Sequence, residues 1–245
     1  MRERGDDEPG STGGGDDEAG ATGGSGDELL LARARKAPVL AGPLPHFDPR
    51  SAPDAPGPLF ADWLSRALAD DVPEPHVMTL STAGADGAPS ARVLMLRGID
   101  SADCGYDFAS DAGSRKGRDL AGNPRAALAW YWPAHGRQIR MVGTVAVRDE
   151  AATRADFRGR GEQARIGGFT GRMSEPLSGP EEYERAHRRA AALVAADPGR
   201  VPDGHTLYRL RATEAEFFQA DPGRFHLRVR YLRDGGRWIR TLLWP

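Results

Sequence analysis

The chain has 245 residues, 39% of them hydrophobic and 28% charged, enough for one large domain or two small ones with a sizeable core. Its single cysteine, Cys104, excludes an intrachain disulfide and any multi-cysteine metal site, and no apolar run approaches the roughly 18 residues of a membrane span. The formal charge of −2 is unevenly spread: Met1 to Glu28 carries nine acids and two bases, leaving 26 acids and 31 bases beyond it, a mildly basic body that suits a small anionic ligand and is too scattered for nucleic acid.

Residues 1–36 open with an acidic, Gly-rich tail; GSTGGGDDEAGATGGSGDE has almost no apolar side chain to offset the entropy of ordering, which predicts disorder. The tail lacks the apolar stretch of a secretory signal, so the expected location is the cytoplasm. Residues 37–75 read as an extended Pro-rich segment and a short docking helix, LFADWLSRAL (Leu59 to Leu68), with apolar residues at helical spacing. Residues 76–245 form the main domain. HVMTLST, the turn AGADG and PSARVLMLRG predict a hairpin, and GYDFAS, RAALAWYW, the turn PAHG and RQIRMVGTVAVR extend an antiparallel series. A helical stretch follows, DEAATRADF and then GPEEYERAHRRAAALVAA, in which Tyr183, Ala186, Ala190, Leu193 and Val194 make one apolar stripe for core packing. Trp130 and Trp132 read as core or interface aromatics. HTLYRLRA, AEFFQ with FHLRVRYLR, and RWIRTLLW after a DGG turn are further strand-like runs. The fold class is mainly β, an antiparallel barrel with added helices.

One stretch points to chemistry. GSRKGRDLAGNP (Gly113 to Pro124) begins a helix at a strand-to-helix corner, with Ser114 as N-cap and Arg115 and Lys116 in the first turn. A helix N-terminus has unpaired N–H groups and about half a positive charge, so two bases there are unfavourable unless an anion lies among them. Gly117 is expected to let a phosphate approach closely. Near the C-terminus, Arg224, His226 and Arg228 alternate, which on a strand turns all three to one side.

ARVLMLRG, FASDAGSRKG, LAGNPRAALAWYW, RQIRMVG, EFFQ and RFHLR, in this order and spacing, resemble the pyridoxamine 5′-phosphate oxidase family over about residues 60 to 245. The resemblance implies an FMN-binding split barrel working as a homodimer, with two flavins at the interface and residues from about 205 to 245 as the dimerisation region. It implies an FMN-dependent oxidase in which a hydride passes from substrate to flavin N5 and O2 reoxidises the flavin, with no metal, nucleic-acid or membrane partner. Carried over position by position, Arg92, Val93, Leu94, Met95, Leu96 and Arg97 line the flavin and its tail. Ala109 and Ser110 contact the ribityl-phosphate, Arg115 and Lys116 grip the phosphate, and Gln138 bonds the isoalloxazine. Ser174 and His205 fall at further flavin-side positions. Arg224 and His226 lie over the substrate, and Arg228 touches flavin from the partner subunit.

The chain departs from that pattern where the family holds its substrate phosphate with a Lys, a Tyr, an Arg and a Ser. Those positions read Arg97, Asp156, Arg160 and Ala164, so a negative charge enters and a hydroxyl is lost. Met173-Ser174 stands where the family has Gln-Ser from the second subunit, His205 where it has Trp, and Leu242 where its closing motif has Arg. This reads as a flavin apparatus with a changed substrate pocket. The expected substrate is an aromatic, phenazine-like secondary-metabolite intermediate. The alternatives are pyridoxine or pyridoxamine 5′-phosphate oxidation to pyridoxal 5′-phosphate, and a non-catalytic flavin-binding barrel.

Overall fold

The computed structural model describes residues 23–171 and 173–245. Contacts divide the chain into two units, residues 1–39 and 40–245. The expected disorder of residues 1–22 lies outside the described residues. In the first unit, Gly23–Arg35 is helix α1, although disorder is expected through residue 36. The Gly-rich run ends at Gly26, and DELLLARAR, which follows, consists mostly of strong helix formers with Arg33 and Arg35 in the last turn, where they favour the dipole.

In the second unit Pro56–Ala69 is helix α2, started by Pro56 in its first turn. Its apolar residues recur at three- and four-residue spacing, and Leu59, Phe60, Trp63, Leu64 and Ala67 are all buried. Phe60 meets Tyr106 and Trp130 edge-on at 4.9 and 4.8 Å, and Trp63 meets Phe217 at 5.2 Å.

The strands are β1 (Val77–Ala83), β2 (Pro89–Met95), β3 (Gly98–Asp100), β4 (Gly105–Asp111), β5 (Arg125–Trp132), β6 (Arg137–Val147), β7 (His205–Gln219), β8 (Leu227–Asp234) and β9 (Arg237–Leu243). Every pairing is antiparallel, in the order β2-β1-β5-β6-β7-β4-β3, with β8 on β7 and β9 on β8. The sheet curls into a split barrel flanked by helices. β7 makes the split, because its first half pairs with β4 and its second half with β8.

HTLYRLRA and AEFFQ are therefore one strand. Its inward side chains run Tyr208, Leu210, Ala212 and then Ala215, Phe217, Gln219, a phase change at the bulge opposite Val142 and Gly143. A Cβ on Gly143 would collide with the Arg211 carbonyl, so only glycine lets the two strands meet there.

Helices α3 (Arg115–Gly122), α4 (Glu150–Arg158), α5 (Glu162–Gly168) and α6 (Pro180–Ala196) complete the unit. The α6 stripe is narrower than its sequence suggests: Ala190 and Val194 join Ile166 in a small second core, while Tyr183 and Leu193 stay exposed. Trp130 and Trp132 are buried in the main core, and the Trp132 indole donates to the Pro75 carbonyl at 3.1 Å. Among the described residues no helix is long and apolar enough to cross a membrane.

Candidate functional site

The Ser-Arg-Lys corner forms as its residue types require. Ser114 caps α3, its Oγ accepting from the Gly117 N–H at 3.3 Å, and its extended backbone turns the chain out of β4. Lys116, only 9% exposed, donates to the Ser110 and Ser114 hydroxyls at 3.1 and 3.3 Å, while Arg115 is exposed. Burial first, then the nearby Arg92 charge, lowers the Lys116 ammonium below its ordinary value. Neither Arg115 nor Lys116 forms an ion pair among the described residues. Arg92 reaches the same region from β2, bonding Thr82 Oγ1 and Ser90 Oγ at 2.8 Å each, with Asp119 at 3.9 Å.

A cavity of about 130 Å³ opens here, lined by Ser110 and Lys116 together with Leu94, Ala109, Arg160 and His205. Crowded bases, two hydroxyls and a capped helix start match the phosphate end of a flavin nucleotide. Gly117 is also required sterically: a Cβ there would strike the Ala112 carbonyl, so the glycine lets the helix pack on the turn that leads into it. Gly117→Ala should cost about 2 kcal/mol or more of stability, visible as a lowered melting temperature with reduced flavin content.

A second cavity of about 330 Å³ shares Ala109 and Arg160 with the first and adds Met95, Arg97 and Ala164. The departures at the substrate-phosphate positions therefore gather at one place. Asp156, on α4, accepts Arg97 Nε at 2.7 Å, Arg160 Nη2 at 2.7 Å and His205 Nε2 at 3.0 Å. Burial alone would raise its carboxyl, but the hydrogen bonds from His205 and Arg97 and the Arg160 charge outweigh that and hold it well below the usual carboxylate range. Within β2, alternation divides the run expected to line one ligand: Arg92 and Leu94 turn inward, whereas Val93 and Met95 are exposed on the other side. Leu96 lies beyond the strand, its N–H on the His76 carbonyl. Ser174, which the resemblance assigns to the far side of a subunit boundary, accepts the Arg115 N–H of its own chain at 3.4 Å, and Met173 Sδ lies 3.8 Å from Lys116 Nζ. The loop reaches back because Gly171 and Ser174 both have positive φ.

The remaining candidates form a separate group. Gln138, Phe218 and Arg228 are cross-strand neighbours on β6, β7 and β8, and they line a cavity of about 220 Å³ with Arg140, Glu216 and Pro245. Glu216 holds Arg140 at 2.6 Å and Arg228 at 2.8 Å, and Arg228 also bonds the Trp244 carbonyl at 2.9 Å. Arg224 and His226 are not on the strand, which begins at Leu227; they belong to the preceding turn, where Arg224 has φ +68°. That turn hangs on Asp221: its carboxylate accepts the Gly223 N–H at 2.7 Å, its carbonyl accepts the Arg224 N–H at 3.0 Å, and its N–H donates to His226 Nδ1 at 3.1 Å. Asp221 and Glu216 are positioning residues that the sequence reading missed; the Asp-Pro-Gly turn signal was the only available pointer to the first.

Ser110, Ser114 and Lys116 thus lie together at one corner, and comparison with known proteins decides the family. A family model described as pyridoxamine 5′-phosphate oxidase matches residues 64–218, and one described as pyridoxine 5′-phosphate oxidase C-terminal dimerisation region matches residues 205–245. The chain belongs to the pyridoxamine 5′-phosphate oxidase family. It is 41% identical over 196 residues to the pyridoxine/pyridoxamine 5′-phosphate oxidase of Bordetella petrii, covering 80% of this chain and 91% of that one. Identity to the enzyme of the same name from Anaeromyxobacter dehalogenans is 39%, over 83% of this chain and all of the other. Among solved structures it is similar to PhzG from Burkholderia lata 383 in complex with tetrahydrophenazine-1-carboxylic acid, at TM-score 0.78 and 31% identity over 83% of this chain and 100% of that chain. As a member of this family the chain is an FMN-dependent oxidoreductase with a C-terminal dimerisation region.

Proposed function

We propose that the chain uses FMN to oxidise a small anionic ring compound held between Arg97 and Arg160, with pyridoxine or pyridoxamine 5′-phosphate as the first candidate. The observation that carries this is that Arg97 and Arg160, joined through the Asp156 carboxylate, both line the cavity adjoining the Lys116 corner. The names of the relatives support the B6 phosphates. A second reading, an aromatic acid without phosphate such as the ligand bound by the PhzG relative, is favoured by Asp156, which already fills the guanidinium pair, and by Ala164, which offers no hydroxyl.

FMN, when bound, supplies two-electron acceptance from the substrate and reoxidation by dioxygen. The chain supplies position and charge. Lys116, Arg115, Ser110 and Arg92 would hold the cofactor phosphate and Gln138 the ring. Arg224, His226 and Arg228 lie in and beside the turn before β8 and do not line the Lys116 corner or the Arg97–Arg160 cavity beside it, so each site would take that corner and cavity from one protomer and these three residues from its partner. His226 accepts the Asp221 N–H on Nδ1, so its neutral ring carries the proton on Nε2 and offers a donor to substrate.

Anaerobic mixing tests the proposal. Bleaching of the flavin by pyridoxine 5′-phosphate supports the first reading. Bleaching only by a reduced phenazine carboxylic acid supports the second, and persistent yellow with both marks a flavin-binding protein without oxidase activity.

A further inference from the structure

Three separate elements deliver donors to the Asp156 carboxylate: Arg97 from the segment after β2, Arg160 from the turn after α4 and His205 from the start of β7. The side chain is 7% exposed, and its hydrogen bonds hold its carboxyl well below the usual carboxylate range. Arg97 and Arg160 are the two cations lining the 330 Å³ cavity, and the rest of that wall is Met95, Ala109, Ala164 and glycine. Each cation has committed only part of itself to Asp156, Arg97 through Nε and Arg160 through Nη2. Arg160 Nε is buried with no partner among the described residues. An anion entering this cavity therefore meets two guanidinium groups that a buried carboxylate behind them already partly engages.

We infer that Asp156 is a specificity-determining residue, a built-in anion that shares Arg97 and Arg160 with the substrate's charged group and makes the cavity favour a singly charged ring compound over a dianionic phosphate. The inference rests on the reading that this cavity receives the substrate, and of the two substrates proposed above it favours the second, the aromatic acid without phosphate. Two guanidinium groups less one carboxylate leave a single positive charge, which a carboxylate balances and a phosphate dianion exceeds. The excess charge is costly where solvent is partly excluded. The remaining donors also suit the smaller acceptor: a carboxylate needs one forked pair, whereas a phosphate presents three oxygens. The apolar wall of Met95, Ala109 and Ala164 fits the flat face of a ring.

The test uses FMN-loaded protein at about pH 8, where a phosphate monoester is dianionic. Pyridoxal 5′-phosphate serves as the doubly charged probe and benzoate as the singly charged one, with binding read from perturbation of the flavin absorbance. Asp156→Asn is expected to tighten pyridoxal 5′-phosphate by at least about tenfold and benzoate by less than about threefold, and Asp156→Glu to keep the native ratio. Arg97→Gln, which leaves the carboxylate and removes one cation, should weaken the phosphate more than the benzoate, and it gives an independent arm if the asparagine variant loses flavin. An unchanged ratio in both Asp156→Asn and Arg97→Gln, with both probes still binding, overturns the inference and leaves the cavity as the substrate site. Absence of any flavin perturbation by either probe in every variant overturns the cavity assignment itself.

Discussion

Alanine in place of both Arg115 and Lys116 should weaken FMN binding by at least about tenfold, measured by fluorescence titration of the apoprotein. A charge-assisted hydrogen bond to a phosphate oxygen contributes about 1.5 to 3 kcal/mol, and about 1.4 kcal/mol is a factor of ten. The two residues do not share equally. Lys116 is almost buried against Ser110 and Ser114, so its contribution is little screened, whereas Arg115 is exposed and its share must be discounted for solvent. Lys116→Ala alone should therefore account for most of the loss. Arg118→Ala is the control: this base is exposed on the same helix and is engaged with the Gly113 carbonyl, so its removal should leave FMN affinity within about twofold. Equal affinity in the double variant and the native protein would remove the phosphate from this corner.

Much of the barrel was legible because its strands obey one rule. β1 and β5 alternate buried and open positions residue by residue, and turn residues such as Gly87 at φ +79° punctuate them. Where the rule is broken locally, reading failed. The bulge at Gly143 moves β7 out of phase between Ala212 and Ala215, and two short runs were seen where one long strand exists. Helix α1 was hidden by averaging, because its helix-forming half follows a glycine run that dominates the composition. The narrowness of the α6 stripe depends on what packs against it, Ile166 and Phe169, which periodicity alone does not contain.

The site shows the same division between local and tertiary information. Ser114 as a cap and two bases in the first turn follow from a short stretch, so the corner was readable, whereas the burial of Lys116 against Ser110 and Ser114 was not. Gly117 was assigned to ligand approach, but its constraint comes from Ala112 five residues earlier, a contact visible only once the chain turns. Asp156 stands out by its position, yet nothing local marks its three partners, which lie at separations of 59, 4 and 49 residues. Arg224 was placed on a strand by its two-residue spacing from His226, and the Asp-Pro-Gly turn overrides that spacing by setting a left-handed backbone at Arg224.

His226→Ala should lower turnover by about a hundredfold on any true substrate while flavin content stays unchanged, because its geometry offers one free donor and no other task. Nδ1 is committed to the Asp221 N–H at 3.1 Å, and the ring lies 5.2 Å from that of Phe218, so Nε2–H points from a ring held on two sides. If that donor acts on charge that develops only during reaction, kcat falls and KM moves little; if it serves binding, KM rises and kcat holds. Arg224→Ala should show the second pattern, since a guanidinium on an exposed turn is suited to binding an anion more than to reaction. Asp221→Ala separates position from contact: it removes the carboxylate that accepts the Gly223 N–H at 2.7 Å, leaves both substrate-side residues in place, and should reduce turnover by a smaller factor, about tenfold, with native flavin content. Loss of flavin in all three variants would place the turn against the cofactor instead of the substrate, and undiminished turnover in the His226 variant would take its imidazole out of the reaction.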